Sequence, residues 1–258
     1  MSTSEATLPS RAASRVAEYV DVFMNEPLAF RGQQLRGTGP IHEFEGLLAK
    51  RCGFPFCVST CNATTALLVV AIAAKLRGRE VICPPNNWAA TFGLLEFAGA
   101  KLIRAEADEL RNICPRSVES LMSAATAAVL AADWKGERHQ VEMIAVACRH
   151  NGCLYIEDTS YIPPERSESD RASVADVQVI SFGPGKPLSL GEGGAILTRS
   201  SAIYETAVAL SQHPERCRAE GIKPMSGHQF LNARMHPLAA ILGVELLKQQ
   251  ANSPSRFV

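Results

Sequence analysis

The sequence predicts an α/β protein built on a mostly parallel, seven-stranded sheet with helices on both faces. Short apolar runs of strand length alternate with helix-like runs along most of the 258 residues. This alternation is typical of parallel sheets. Gly and Pro residues, which interrupt both kinds of element, separate the runs. With an apolar fraction of 47%, the chain is long enough to bury one large core.

Each element is predicted from the period of its apolar residues and from the turn residues beside it. The predicted strands lie near 56–59, 80–83, 101–105, 127–132, 154–157, 177–181 and 195–198. The predicted helices lie near 17–24, 42–51, 65–75, 88–97, 118–124, 141–150, 203–211 and 237–250. A polar loop is predicted at 165–171. We expect an N-terminal segment with one helix at 1–36, a large domain at 37–250 and a tail at 251–258.

Lys186 lies between two strand-like runs, in a loop rich in Gly and Pro that spans 183–194. Because these residues exclude a helix, the lysine is expected on a tight turn. A cofactor attached through a Schiff base needs a lysine that is held in one pose with its amine desolvated. Taken alone, the motif fits a solvated loop lysine equally well.

Two carboxylates, Glu157 and Asp158, end another short apolar run. Parallel sheets bind ligands beyond the carboxyl ends of their strands, so Asp158 is expected at the same edge as Lys186. A carboxylate there could keep the ring nitrogen of pyridoxal phosphate protonated, which makes the ring an electron sink. Taken alone, Asp158 is better explained as a turn or helix-cap residue after a strand.

Two more predicted strand ends carry residues that suit a planar, phosphorylated cofactor. Small residues at 59–65 lead from a strand into an apolar helix, which Asn62 or Thr64 can cap. Free N–H groups at such a helix start can bind phosphate, although every strand–helix turn offers them. Trp88 follows the strand at 80–83, where its indole could stack on a planar ring or pack at the rim of the core.

Together these motifs resemble the DegT/DnrJ/EryC1/StrS sugar aminotransferases, which have the fold-type I pyridoxal-phosphate architecture. The resemblance covers roughly 39–250. It implies that Lys186 forms the Schiff base, that Asp158 meets the pyridinium nitrogen and that Trp88 lies over the ring. The implied phosphate ligands are Ala63, Thr64, Thr65, Ser181 and, reaching the phosphate in a neighbouring subunit, Asn232.

The chain also departs from the family pattern. Tyr161 stands where the family usually has Gln near the cofactor's ring oxygen, and its hydroxyl can still form a hydrogen bond there. Ala63 replaces the usual glycine of the phosphate turn, and residues 133–136 replace a His-Leu-Tyr-Gly run. Family members continue beyond the Asn232 segment into a small C-terminal domain. We therefore expect this chain to lack that domain.

The leading interpretation is a pyridoxal-phosphate-dependent aminotransferase of a biosynthetic pathway. The resemblance implies a keto sugar as amino acceptor and glutamate as amino donor. One alternative is a truncated auxiliary or non-catalytic subunit, and another is a pyridoxal-phosphate enzyme of the elimination or cyclisation type. We expect a homodimer, or a heteromer with a chain that supplies the missing domain. The apolar helix from Pro237 onward would otherwise lack its usual cover.

Composition argues against several other classes. Lys+Arg and Asp+Glu number 26 each, so no basic field favours nucleic acid or a membrane surface. The N-terminal segment lacks the apolar stretch of a signal peptide, so we expect a cytoplasmic protein whose eight cysteines are reduced. Without a Cys-x-x-Cys spacing, no metal site is expected. The six histidines form no pattern, and a structural role is expected for His150, His228 and His236.

Overall fold

The computed structural model describes residues 8–26, 33, 35–137, 139–164, 173–225 and 231–252. The polar loop predicted at 165–171, His228 and most of the predicted tail lie outside the described residues.

Seven strands form one sheet in the described part of the chain. They are β1 (Phe56–Thr60), β2 (Glu80–Cys83), β3 (Lys101–Arg104), β4 (Thr126–Ala132), β5 (Leu154–Asp158), β6 (Val177–Ser181) and β7 (Gly194–Thr198). Their order across the sheet is β1-β7-β6-β5-β4-β2-β3. Strands β2 to β6 pair in parallel, whereas β7 runs antiparallel to both β1 and β6. The mostly parallel, seven-stranded sheet is thus confirmed.

Nine helices accompany the sheet in the described residues. They are α1 (Leu8–Asn25), α2 (Pro40–Cys52), α3 (Ala63–Ala73), α4 (Ala89–Phe97), α5 (Pro115–Leu121), α6 (Val141–Asn151), α7 (Ser201–Ser211), α8 (Pro214–Ala219) and α9 (Pro237–Asn252). None of them combines the length and the apolar character that crossing a membrane requires.

Three helices differ most from the predictions, and two of them begin with proline. α5 begins at Pro115 and ends at Leu121, three residues earlier than predicted at each end. α8, which begins at Pro214, was not predicted from the sequence at all. Proline suits the first turn of a helix because its missing N–H needs no partner there. α1 begins at Leu8, well before the predicted start near 17, and Arg15 within it forms ion pairs with Glu43 and Glu245.

Helices cover both faces of the sheet because successive strand residues point to opposite sides. In β7, Ile196 belongs to the core beneath α3 and α7, whereas Leu197 belongs to the core beneath α2 and α9. A third cluster lies under α5 and α6. α9 approaches α2 closely, because a Cβ atom on Gly243 would lie 2.4 Å from a ring carbon of Phe44.

Candidate active site

The predicted site residues lie where strands end at one edge of the sheet. Thr60 ends β1 and Ser181 ends β6, and both stand opposite Gly194, the first residue of the antiparallel β7. Asp158 ends β5 opposite Ala132, the last residue of β4. Ligands of α/β sheets bind beyond this edge.

Lys186 lies on the loop from β6 to β7. Its own backbone N–H donates to the carbonyl oxygen of Gly183 at 3.2 Å and closes a turn. Its side chain is half-buried. The Nζ atom lies 3.4 Å from the centre of the Tyr161 ring, as in a cation–π contact. Its charge also acts on the Asp158 carboxyl. The structure therefore brings the predicted lysine, carboxylate and tyrosine together.

Asp158 is a buried carboxyl, 8% exposed. Its Oδ1 atom accepts a hydrogen bond from the backbone N–H of Ser160 at 3.1 Å. Burial raises the pKa of Asp158, and Ser160, Lys186 and Asn87 offset only part of that effect. A buried carboxylate in this condition would be stabilised by a cationic N–H group. The ring nitrogen expected for the cofactor is such a group.

Asn87 is a site residue to which the sequence analysis gave no role. Its side chain lies close enough to Asp158 to lower the pKa of that carboxyl. Its buried Nδ2 atom nevertheless forms no hydrogen bond of normal geometry with the described residues. Its Oδ1 atom accepts from the backbone N–H of Trp88 at 2.7 Å. A donor held this weakly beside Asp158 could also serve a ligand bound there.

The predicted phosphate turn is the start of α3. Asn62 caps this helix, because its Oδ1 atom accepts from the backbone N–H of Thr65 at 2.7 Å. The Thr65 amide is therefore occupied, and the N–H groups of Ala63 and Thr64 remain as the helix-start donors. A Cβ atom on Gly194 would lie 2.4 Å from the Ala63 nitrogen, so only glycine lets β7 start there. Ser181 pairs with Gly194 in the sheet, and its Oγ atom accepts a hydrogen bond from the Gly183 N–H at 3.4 Å.

Two predicted site residues, Trp88 and Asn232, are exposed. Trp88 is 72% exposed and immediately precedes α4, so its indole faces open space. Asn232, which has a positive φ of 47°, lines a cavity of about 210 Å³ whose other walls include Gly37, Gln212 and Arg234. Neither Lys186 nor Asp158 lines that cavity.

A buried polar network includes Tyr155 and Glu157 of β5, the strand that ends at Asp158, and the sequence analysis missed it. His139 Nδ1 lies 2.5 Å from Asp133 Oδ1, and its Nε2 lies 2.6 Å from the Tyr155 hydroxyl. Glu157 Oε1 is 3.8 Å from the same Nε2 atom. These three acidic and imidazole groups are close enough to hold a metal ion. The 2.5 Å contact is, however, a hydrogen-bond length, so a hydrogen bond between His139 and Asp133 explains the arrangement.

Comparison with known proteins places the chain in one family. The model of the DegT/DnrJ/EryC1/StrS aminotransferase family matches residues 28–255. The match spans most of the sequence, and the chain belongs to this family. The resemblance inferred from the sequence motifs is therefore confirmed.

Curated relatives are identical to this chain at about a quarter to a third of the aligned positions. The UDP-2-acetamido-2-deoxy-3-oxo-D-glucuronate aminotransferase of Pseudomonas aeruginosa is 27% identical over 233 residues, which are 89% of this chain and 63% of that protein. The erythromycin biosynthesis sensory transduction protein EryC1 of Saccharopolyspora erythraea is 31% identical over 217 residues, 81% of this chain and 57% of that protein. The chain spans less than two thirds of the length of either relative.

Solved structures confirm the fold. DesI, solved in the presence of its TDP-sugar product, has a TM-score of 0.76 at 27% identity, covering 93% of this chain and 59% of that one. Helicobacter pylori PseC, an aminotransferase involved in pseudoaminic acid biosynthesis, has a TM-score of 0.77 at 22% identity, covering 94% and 63%. The large domain of a fold-type I enzyme is thus the architecture of the described residues.

Proposed function

We propose that this protein is a pyridoxal-phosphate-dependent aminotransferase that delivers an amino group to a keto sugar in a biosynthetic pathway. The observation that carries the proposal is the meeting of Lys186 with Asp158, a half-buried amine near a buried carboxylate whose pKa is raised by burial. Family membership supports the same reading.

Pyridoxal phosphate, when bound, supplies the electron sink for breaking a bond to the amino-bearing carbon. The residues of this chain fit its parts. Asp158 would accept a hydrogen bond from the protonated ring nitrogen, and Asn87 Nδ2 would gain an acceptor among the polar atoms beside that carboxylate. Lys186 Nζ would attach the cofactor and then move a proton between carbon atoms of substrate and cofactor.

The phosphate group would lie at the start of α3. There the N–H groups of Ala63 and Thr64, with the hydroxyls of Thr64, Thr65 and Ser181, would hold it against the positive end of the helix dipole. Tyr161 would lie beside the cofactor's ring oxygen and Trp88 over its face. Both roles stay predictions from the sequence.

The substrate class is proposed from the relatives. A protein named for a 3-oxo sugar nucleotide and a structure solved with a TDP-sugar product are among them. We propose a keto-sugar acceptor and an amino-acid donor for this chain. A second chain, identical or different, is proposed to complete the site through Asn232, with residues 37–250 serving as the cofactor-binding domain.

Borohydride trapping tests the proposal directly. The protein is incubated with pyridoxal phosphate, reduced with borohydride, digested and mapped by mass spectrometry. The cofactor adduct is expected on the peptide that contains Lys186, and an absorbance band in the visible should disappear on reduction. Adding an amino donor before reduction should also remove that band and protect Lys186.

The matched control is Lys50→Ala, since Lys50 is an exposed lysine at the end of α2. This variant should label like the parent, whereas Lys186→Ala should not label. An adduct on other lysines alone would overturn the assignment. Labelling of Lys186 without any response to amino donors would favour the auxiliary-subunit alternative.

A further inference from the structure

Five of the helices named above end in the same motif. In each, a residue with positive φ follows the helix, and the next N–H donates back to a carbonyl five residues earlier. This Schellman geometry brings the side chains of the two bonded residues into contact. The pairs are Ala49–Phe54, Ala71–Leu76, Leu95–Ala100, Cys148–Cys153 and Cys217–Ile222.

One of these pairs is made of two cysteines. The backbone N–H of Cys153 donates to the Cys148 carbonyl at 3.1 Å, and the N–H of Gly152, with φ 63°, donates to Arg149 at 3.4 Å. The motif fixes both Cα atoms next to each other, and both side chains join the core cluster under α6. The backbone thus places two thiols where the other motifs place an apolar contact.

The two thiols differ in chemical character. A hydrogen bond from Cys148 lowers the pKa of Cys153, while the same bond and burial raise the pKa of Cys148. Asp176 raises and Arg149 lowers the pKa of Cys148. Both thiols are buried, but Cys153 is 8% exposed and Cys148 only 1%, so Cys153 is assigned as the attacking thiol and Cys148 as the resolving partner. The intervening residues, 149–152, are all exposed.

We propose that Cys148 and Cys153 are a redox-active dithiol that closes reversibly to a disulfide when it meets a low-molecular-weight disulfide. The role is independent of the proposed aminotransferase chemistry. β5 starts directly after Cys153 and ends at Asp158, so the two ends of that strand lie about 15 Å apart. Closing the bond would clamp α6 to β5 at the end of the sheet remote from the cofactor site.

The exchange balances with glutathione disulfide as the oxidant. The Cys153 thiolate attacks one glutathione sulfur, forms a mixed disulfide and displaces the first glutathione thiolate. The Cys148 thiol then loses its proton and attacks the Cys153 sulfur, and the second glutathione leaves as a thiolate. The protein loses two electrons and two protons, and one glutathione disulfide becomes two glutathione molecules.

Peptide mapping without reduction tests this proposal. The folded protein is equilibrated with glutathione disulfide, blocked with iodoacetamide and cut with trypsin, which cleaves between Arg149 and His150. The peptide ending at Arg149 and the peptide beginning at His150 should remain joined, with the mass of two hydrogens lost. Dithiothreitol should separate them.

Two single variants assign the roles. Cys148→Ser should stop at a glutathione adduct on Cys153, because the resolving thiol is gone. Cys153→Ser should leave Cys148 without an adduct. Circular dichroism of both variants confirms that they are folded. An adduct on Cys148 but not on Cys153 would reverse the roles and overturn the proposal.

A matched motif supplies the control for geometry. At the end of α8, the Ile222 N–H donates to the Cys217 carbonyl at 2.8 Å, so Ile222→Cys puts a second cysteine in the same position. This variant should gain a crosslink to Cys217. Absence of the Cys148–Cys153 crosslink, whether or not the engineered pair closes, overturns the proposal.

Discussion

Two buried carboxylates in this protein are treated in opposite ways. Glu45, on α2, is 5% exposed and accepts four hydrogen bonds, from the nitrogen and hydroxyl of Ser59 and from both terminal nitrogens of Arg216, at 2.7 to 3.0 Å. Asp158 is similarly buried and has only neutral donors, the backbone N–H of Ser160 at 3.1 Å and the side chains of Ser160 and Asn87, so burial keeps its pKa raised.

The difference separates structure from binding. Burial would lower the pKa of the Arg216 guanidinium, but Glu45 more than offsets this and raises it, so the pair is charged and satisfied. The Glu45–Arg216 pair joins α2 to α8 in the protein interior. At Asp158 the neutral donors and Lys186 offset only part of the effect of burial, and a cationic group on a ligand would offset more. A buried carboxylate that has a full set of hydrogen bonds and a counter-charge within the protein stabilises the fold. One whose burial is only partly offset indicates a candidate binding site.

The largest expected effect comes from unpairing Glu45. Arg216→Ala leaves its carboxylate buried without a counter-charge and should cost about 3–5 kcal/mol of unfolding free energy. The control is Arg218→Ala, which removes an exposed ion pair with Glu215 on the same helix and should cost less than about 1 kcal/mol. Urea denaturation measures both. Equal losses in the two variants would mean that the Glu45 cluster is not the structural element proposed here.

A smaller effect should follow from adding one methyl group at the phosphate turn. Gly194→Ala places a Cβ atom 2.4 Å from backbone atoms of Ala63 and Asn62, so β7 or α3 must shift, at roughly 2 kcal/mol. Pyridoxal-phosphate affinity should fall as well. Gly93→Ala, in α4 with nothing near the added atom, should be neutral or slightly stabilising. If Gly194→Ala were as stable as Gly93→Ala, the close approach would be wrong.

The sequence predicted the sheet better than it predicted the surroundings of the candidate site. Strand ends carry Asp158, Ser181 and the Lys186 loop because apolar runs and Gly or Pro breaks are local signals. Helix starts at Pro115 and Pro214 were missed or misplaced, since proline was treated as a break rather than a first turn.

Other features depend on contacts between distant segments, which periodicity does not report. His139 meets Asp133 and Tyr155 through strand pairing, and no spacing in the sequence signals this. Asn87 gains its importance only because β2 and β5 bring it beside Asp158. The Glu45–Arg216 pair joins residues 171 positions apart.

Replacing each carboxylate with its amide sharpens the comparison. A raised pKa means that folded Asp158 holds its proton more tightly than the unfolded chain does. Its contribution to stability is full below the unfolded pKa and is lost as the pH rises through the folded pKa. Cofactor-free Asp158→Asn should therefore melt a few degrees higher than the parent at pH 7, with the gap closing near pH 4.

The companion variant Glu45→Gln should instead melt lower than the parent at pH 7, because it weakens a paired charge. Thermal unfolding of both, at several pH values, gives the measurement. A drop in melting temperature for cofactor-free Asp158→Asn at pH 7 would show that its charge is already satisfied by the protein. Cofactor should reverse the order, since only the carboxylate gains from a cationic ring nitrogen.

The smallest expected effect concerns the contact between the Lys186 amine and the Tyr161 ring. Its Nζ lies 3.4 Å from the Tyr161 ring centre, and such a contact at a partly exposed site is worth about 0.5–1 kcal/mol. The ring thus holds the Lys186 amine at its face. Tyr161→Leu should release the ammonium and speed attachment of pyridoxal phosphate roughly two- to five-fold, followed by absorbance after mixing. Tyr161→Phe keeps the ring face and should match the parent. A Phe variant as fast as the Leu variant would assign the restraint to the hydroxyl instead.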